Sequence, residues 1–385
     1  MNLLTDKWVP VLTSSGFERI SLDEAMNRLM LDVQSGRPDF DFALLLFAIG
    51  VKQTDYKPDP VFGAGPRFLQ SDAAQGKGRL IPIGQLLIDE PGENSIKQNR
   101  DWFTRGNQRN AMCHCCAALA LYTHTLFAGP GGPGLYPSNL FHSALYLRRG
   151  DTFGETIEAN LIDKDVPQEA YFSAVNGYGL ADPEGHQECS LCGASGPVVT
   201  GFYRTKLGTK PAPVINPHMA RTPTGKRFVV KPSDGPLKIA DGAALDSQIS
   251  LSPLAIAERA VLGDTIIGFG TCYDKATLKR SFAREFTLRS GADWRPIQRC
   301  LHGVINIRLR RSLVLSDYDS TLAGEIKGNA EERVLMGEDE VSAALAVFEM
   351  YCPNPGYRDQ QRYPRWKYFR NLIEQPESDV EVQDV

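Results

Sequence analysis

Residues 113–150 read CHCCAALALYTHTLFAGPGGPGLYPSNLFHSALYLRRG, and residues 189–206 read CSLCGASGPVVTGFYRTK. The first stretch opens on Cys113 and Cys116, a C-x-x-C pair, and continues through apolar helix formers to Ala128. It then meets Gly129-Pro130-Gly131-Gly132-Pro133-Gly134. Such a run cannot continue a helix, because proline lacks the backbone N–H and glycine pays a large entropic penalty. The pattern predicts a helix over 111–128 with the cysteines in its first turn, then a loop of accessible backbone, then regular structure over 139–163. The second stretch opens on another C-x-x-C, Cys189 and Cys192, and becomes strand-like over 197–206. Each pair brings two thiolates to one side of a metal, and two pairs close a tetrahedron with no open position, the structural type of zinc site. The long gap between Cys116 and Cys189 exceeds that of a compact zinc ribbon, so the metal would pin distant pieces of one domain. One structural Zn²⁺ per chain is expected on Cys113, Cys116, Cys189 and Cys192. On a helical turn His114 and Cys115 face away from the Cys113/Cys116 side. Cys272, Cys300 and Cys352 are isolated and read as ordinary buried thiols.

The chain of 385 residues is 42% apolar, enough for a sizeable core. The most apolar run, 42–51, has core-helix length, and no run reaches the length of a membrane span. The opening MNLLTD lacks the basic and apolar regions of a signal peptide, so a cytoplasmic protein is expected. In a reducing compartment clustered cysteines point to metal rather than disulfides. Strands are expected at 8–12, 226–232, 265–270 and 280–288, and helices at 22–31 (capped by Ser21) and 41–52. Residues 53–100 read as loops around short elements. Three further helices, at 296–314, 339–352 and 363–374, precede an acidic tail. The fold class is therefore α+β. A large mixed N-terminal domain, residues 1–290, carries the zinc site, and a small, reduced helical C-terminal domain, residues 291–385, follows.

Charge is segregated along the chain. The net charge is −4, yet residues 189–233 hold no acid and seven bases: Arg204, Lys206, Lys210, Arg221, Lys226, Arg227 and Lys231. Residues 151–188 hold nine acids and one base. Such segregation focuses a positive field on one surface. The six histidines are scattered and form no metal or triad pattern, and neither a phosphate-binding loop nor a nucleophile elbow is present. No catalytic residue is assigned, and a closed four-thiolate site cannot activate water. A zinc-stabilised DNA-processing enzyme, such as a nuclease built on carboxylates, is one alternative. A free-standing DNA-binding regulator is the other. Its best recognition helix, 297–313, is too apolar and carries Arg308, Arg310 and Arg311 only at its end.

These stretches, taken in order, resemble a known family. NLLTDKWVPV at 2–11, the C-x-x-C helix and glycine loop at 113–150, the continuation DTFGET at 151–156, the second knuckle at 189–206 and GFGTCYDKAT at 268–277 are similar to segments of the large subunit of the type I-E CRISPR Cascade complex. They cover about half the chain. Where the family commonly has Ser-Leu-Arg-Gly-Gly and Pro after its glycine loop, this chain has Ser138-Asn139-Leu140-Phe141-His142-Ser143. The resemblance implies a subunit that recognises the protospacer-adjacent motif (PAM) in double-stranded DNA and helps open the duplex for guide RNA pairing. It places Lys206, after Thr200-Gly201-Phe202, as a lysine finger for the minor groove. Gly131, Gly132 and Gly134 become the glycine loop against the DNA backbone, and Asp274 and Lys275 become the wedge. Phe103, Thr104 and Arg105 lie in a loop facing the PAM. The implied partners are target DNA and a guide RNA-containing complex with backbone, small and crRNA-end-binding subunits. The stretch that follows Lys275 is shorter than a full four-helix bundle is expected to need. A smaller docking platform implies altered downstream action, through a nuclease fused to another subunit or a transposition partner. The alternative is a trimmed bundle that still recruits the family's usual helicase–nuclease.

Overall fold

A computed structural model describes residues 1–13, 16–27, 32–91, 106, 108–130, 135–206, 215–220, 265–274, 277–287, 300, 304, 326, 329–330, 333, 338–355 and 363–374. The chain divides into two compact units: Met1–Pro232 with Leu251–Leu288, and Ser233–Ser250 with Arg289–Val385. Among the described residues no helix is long and apolar enough to cross a membrane.

In the first unit the strands are β1 (Val9–Thr13), β2 (Gly16–Ile20), β3 (Asp32–Val33), β4 (Ile81–Pro82), β5 (Met112–Cys113), β6 (Ala144–Arg149), β7 (Gly177–Leu180), β8 (Glu184–Glu188), β9 (Ser195–Val199), β10 (Gly201–Thr205), β11 (Thr265–Asp274) and β12 (Thr277–Thr287). Its helices are α1 (Leu22–Asn27), α2 (Pro38–Thr54), α3 (His114–Phe127) and α4 (Phe153–Ala159). Among the described residues the strands form four three-stranded antiparallel sheets, ordered β2-β1-β3, β4-β10-β7, β12-β11-β6 and β5-β9-β8. Local chemistry sets the helix ends. Proline opens α2, where its missing N–H costs nothing, and Asp55 closes it in the left-handed conformation. Thr152 and Glu155 form a reciprocal capping box at α4, with both bonds at 3.1 Å. Ser21 Oγ accepts the Glu24 backbone N–H as expected.

Helices α2 and α3 are buried on nearly all faces, so they are the core rather than its cover. Phe47 on α2 sits at the centre. Its ring meets Trp8, Phe68, Tyr122 and Phe172 edge-on at centroid distances of 5.5, 5.6, 5.3 and 5.5 Å. Edge-to-face packing aligns ring edges with electron-rich faces and adds to the area buried.

In the second unit α5 (Glu340–Tyr351) and α6 (Tyr363–Glu374) match the expected helices closely. Their core residues Ala344, Val347, Phe348, Trp366, Phe369 and Ile373 pack with Cys300 and Val304, and with Ile326 and Ala330. Cys300, Val304, Ile326, Asn329, Ala330 and Arg333 are all helical. Among the described residues the core therefore draws on four helical stretches, not three. The stretch around 326–333 was missed because alternating charge and glycine (Glu325-Ile326-Lys327-Gly328-Asn329-Ala330) hides the apolar spacing.

Other expectations shift by local causes. The helix at 111–128 begins only at His114, because Met112 and Cys113 are drawn into a strand against β9. The strand at 265–270 extends to Asp274 and pairs with β12 in a long hairpin. The strand-like stretch at 197–206 is broken at Thr200 into β9 and β10. The strand expected at 226–232 lies outside the described residues, as does most of the helix at 296–314.

Two core histidines give the fold a pH signature. His124 faces the Leu86 carbonyl at 3.0 Å, and His218 faces the Tyr171 hydroxyl at 3.0 Å. Burial pushes both pKa values down to about 3, helped at His124 by the nearby Arg204 charge. Unfolded histidine takes up its proton near 6.5, so over the window from about 6.5 down to about 3 the unfolded chain binds more protons. Stability from each histidine is therefore full at neutral pH and falls as pH drops through 6.5. Between pH 7 and 5 the loss should be about 2 kcal/mol per histidine. Urea unfolding at pH 7, 6 and 5 should show a shallower pH dependence for His218→Gln than for the wild type by about that amount. Parallel curves would contradict the assignment.

Candidate metal centre and nucleic-acid interface

The backbone brings the two cysteine pairs together before any side chain is considered. Cys113 pairs with Val198 across β5 and β9. The Ser190 N–H donates to the Ala111 carbonyl at 2.8 Å, and the Ala111 N–H donates to Ser190 Oγ at 3.3 Å. The second knuckle is a tight turn: the Gly193 N–H donates to the Cys189 carbonyl and the Cys189 N–H to the Ala194 carbonyl, each at 2.9 Å. Gly193 sits there at φ +73°, a conformation other residues rarely adopt.

The Sγ atoms of Cys113, Cys116, Cys189 and Cys192 all lie within 4.8 Å of one another. Cys113 and Cys192 are 3.8 Å apart. A tetrahedron with metal–sulfur bonds of about 2.3 Å has sulfur–sulfur edges of about 3.8 Å, so the donor set fits zinc. Cys115 points elsewhere, toward the Lys7 carbonyl at 3.8 Å, and His114 is exposed. Hydrogen bonds from Cys113, Cys116 and Cys192 hold Cys189 well below the usual thiol range, while contacts with Cys113, Cys189 and Cys192 push Cys116 far above it. A divalent ion would favour the thiolate form of all four cysteines. Bound there, it would join the knuckles and leave no position for water.

Sequence reasoning missed a cation at this cluster. Arg19, on β2, reaches three of the sulfurs. Burial opposes its charge, but Cys113, Cys115, Cys192 and Cys116 together raise its pKa above the usual arginine value. Nothing in the sequence links an arginine so far ahead of Cys113 to that pair.

The expected DNA-facing residues fall in several places. Lys206 is exposed just past the end of β10, whose Phe202 is fully buried. Arg204 does not join it at the surface. It is half-buried, and burial lowers its pKa. Asp274 ends β11 opposite Thr277 at the start of β12. Lys275, between them, lies outside the described residues, as do Gly131, Gly132, Gly134, Phe103, Thr104 and Arg105. The structure does bring the end of β11, where the wedge is expected, to the start of the glycine run. A Cβ added to Gly129 would lie 2.8 Å from Tyr273 Cδ1, so only glycine lets the ring lie there. A second unforeseen group closes the base of the segment that holds Phe103, Thr104 and Arg105. Asp89 binds Arg37 at 2.8 Å and Arg109 at 2.9 Å. Burial opposes the Asp89 charge, but bonds from Arg37 and Arg109 hold its pKa below the ordinary carboxylate value.

These features define a class: an α+β protein in which two C-x-x-C pairs converge into a four-cysteine cluster able to hold a metal. Residues 2–61 and 60–179 match the family described as CRISPR-associated protein Cse1. The structure of Thermus thermophilus CasA (Cse1) is similar at 15% identity and a TM-score of 0.62, covering 97% of this chain and 99% of that one. A chain of a CRISPR RNA-guided surveillance complex is similar at 12% identity and a TM-score of 0.60, with the same coverage. No curated protein matches the chain. The resemblance read from the sequence is thus borne out: residues 2–179 are similar to Cse1 in sequence, and the fold is similar to that of CasA over nearly the whole chain.

The centre makes a direct prediction. Purified protein should carry about one zinc per chain. Cys189→Ser should lose the metal and most soluble yield together, since binding at structural sites is worth about 10–16 kcal/mol of folding energy. Elemental analysis decides it, and well-folded wild-type protein without zinc would refute it.

Proposed function

We propose that the chain is the large subunit of an RNA-guided Cascade complex, which recognises the PAM in double-stranded DNA and helps open the duplex without chemistry of its own. The observation that carries this is the meeting of Cse1 sequence over residues 2–179 with the CasA fold around a four-thiolate centre. A centre with no open position supports holding rather than hydrolysis. Guide RNA pairing would read the target, so the protein needs only a short, permissive recognition step.

In this reading residues 1–290 recognise the PAM and residues 291–385 form a helical domain. The exposed ammonium of Lys206 enters the minor groove, where every base pair offers acceptors and discrimination is relaxed. Gly131, Gly132 and Gly134 let backbone N–H groups reach phosphates. Phe103, Thr104 and Arg105 face the PAM from the segment that Asp89 anchors. Asp274 and Lys275 form the wedge, where contacts to the opened strands offset the cost of unstacking. A hairpin of ten and eleven residues, braced by Tyr273 on Gly129, supports that mechanical role. The partners are target DNA and the backbone, small and crRNA-end-binding subunits. A nuclease or a transposition partner acts downstream. Among the described residues, helical positions at 326, 329, 330 and 333, beside the expected helices, remove the helix count as a reason to expect a reduced platform for it.

In the assembled complex, Lys206→Ala should weaken binding of PAM-containing duplex by about tenfold, the equivalent of ~1.4 kcal/mol. A target already unpaired on its PAM side should bind nearly as before. Equal losses on both would make Lys206 a general phosphate contact. Lys275→Ala should slow strand opening, followed by 2-aminopurine fluorescence, while sparing initial duplex binding. Unchanged opening would remove the wedge assignment.

A further inference from the structure

Arg19 lies on β2, opposite Pro10 in the hairpin formed with β1. Its Nη2 donates to Cys192 Sγ at 2.8 Å, to Cys113 Sγ at 3.4 Å and to Cys116 Sγ at 3.7 Å. One nitrogen thus faces the triangle made by three sulfurs, drawn from both knuckles. Nearby, the Cys115 thiol donates to the Lys7 carbonyl, a second tie between the start of the chain and the same helix.

We propose that Arg19 is a positioning residue of the metal centre, whose guanidinium caps the face of Cys113, Cys116 and Cys192, slows metal loss and tethers the N-terminal hairpin to the knuckles. The inference rests on the reading that the centre holds zinc. Four thiolates around a divalent ion carry two net negative charges, which are costly to hold away from water. A guanidinium within hydrogen-bond reach halves that net charge. Its N–H bonds withdraw electron density from the sulfurs, which makes them poorer targets for protons, alkylating agents and competing chelators. Arginine suits the task better than lysine, because its planar, weakly hydrated fork serves several sulfurs at once. The centre then joins three chain segments rather than two: the hairpin at 9–20, residues 112–116 and residues 189–192. The tether matters for the hairpin because its far end is poorly covered. Leu12 and Phe17, opposite each other in the register, are 50% and 52% exposed.

Full-length wild type, Arg19→Met and Arg19→Lys test this by three readouts: zinc content on purification, rate of zinc transfer to a chromogenic chelator, and the thiolate-to-cobalt charge-transfer band of Co²⁺-loaded protein. Outer-sphere partners of this kind typically contribute about 10–100-fold to metal retention. Arg19→Met should therefore still purify with one zinc but release it at least about tenfold faster. Its charge-transfer band should move to lower energy, because sulfur relieved of hydrogen bonds is the better donor. Arg19→Lys should fall between, and hydrogen exchange should accelerate over residues 9–20 in Arg19→Met. Should Arg19→Met not fold, Arg19→Gln, polar and neutral, carries the same expectations. Wild-type release rate and band position in the neutral variant would overturn the proposal. A wild type that binds no zinc would overturn the reading of the centre itself, and the zinc content distinguishes the two failures.

Discussion

Four sulfur atoms must meet within 4.8 Å, and they come in two pairs from distant parts of the chain. The backbone bonds that bring the pairs together are themselves modest. β5 contributes only two residues to its sheet, and the hydrogen bonds between Ala111 and Ser190 would exchange with water at modest net cost. A metal closing the tetrahedron would supply far more. The consequences spread outward from it. Cys113 fixes where α3 starts, and α3 fixes where the glycine run emerges. The second knuckle leads through β9 and β10 to Lys206. The sheet joining β5, β9 and β8 is in effect the mount for two of the segments assigned to DNA.

The core and the mount divide the physical work. Helices α2 and α3, with the ring cluster around Phe47, provide burial that does not depend on the metal. Polar anchors do the placing. Asp89, held between Arg37 and Arg109, is a partly buried ion group whose charges compensate one another, so its value lies in geometry more than in stability. Tyr273 does the same through packing, fixing the end of β11 against the stop of α3. The described residues next to the segments proposed to face DNA are thus braced.

Much of this was legible in the sequence, for identifiable reasons. The two C-x-x-C pairs stand out because cysteine is rare and its spacing specific, and the four chosen sulfurs do converge. The long apolar run of α2 could only be core. Helices α5 and α6 keep a clear helical spacing. What stayed hidden has no local signal. Arg19 joins the sulfurs through tertiary folding alone. Arg204 sits in a basic stretch that reads as surface, yet it lies close to the buried Tyr178 and His124. Cys113 leaves the helix because β9 recruits it, a choice made by a strand far along the chain. The helical positions at 326–333 sit among glycine and charged residues that no apolar stripe announces.

Whether the fold serves the proposed task is tested most directly by what the protein brings with it. Affinity purification of the tagged chain from the cell that encodes it, with sequencing of bound RNA and mass spectrometry of bound proteins, is the measurement. The expected result is a stoichiometric assembly holding short RNAs with a constant repeat-derived end and a variable guide, together with backbone, small and crRNA-end-binding subunits. A chain that emerges alone, or with DNA but no such RNA, would contradict the account and return it to a free-standing DNA-binding protein.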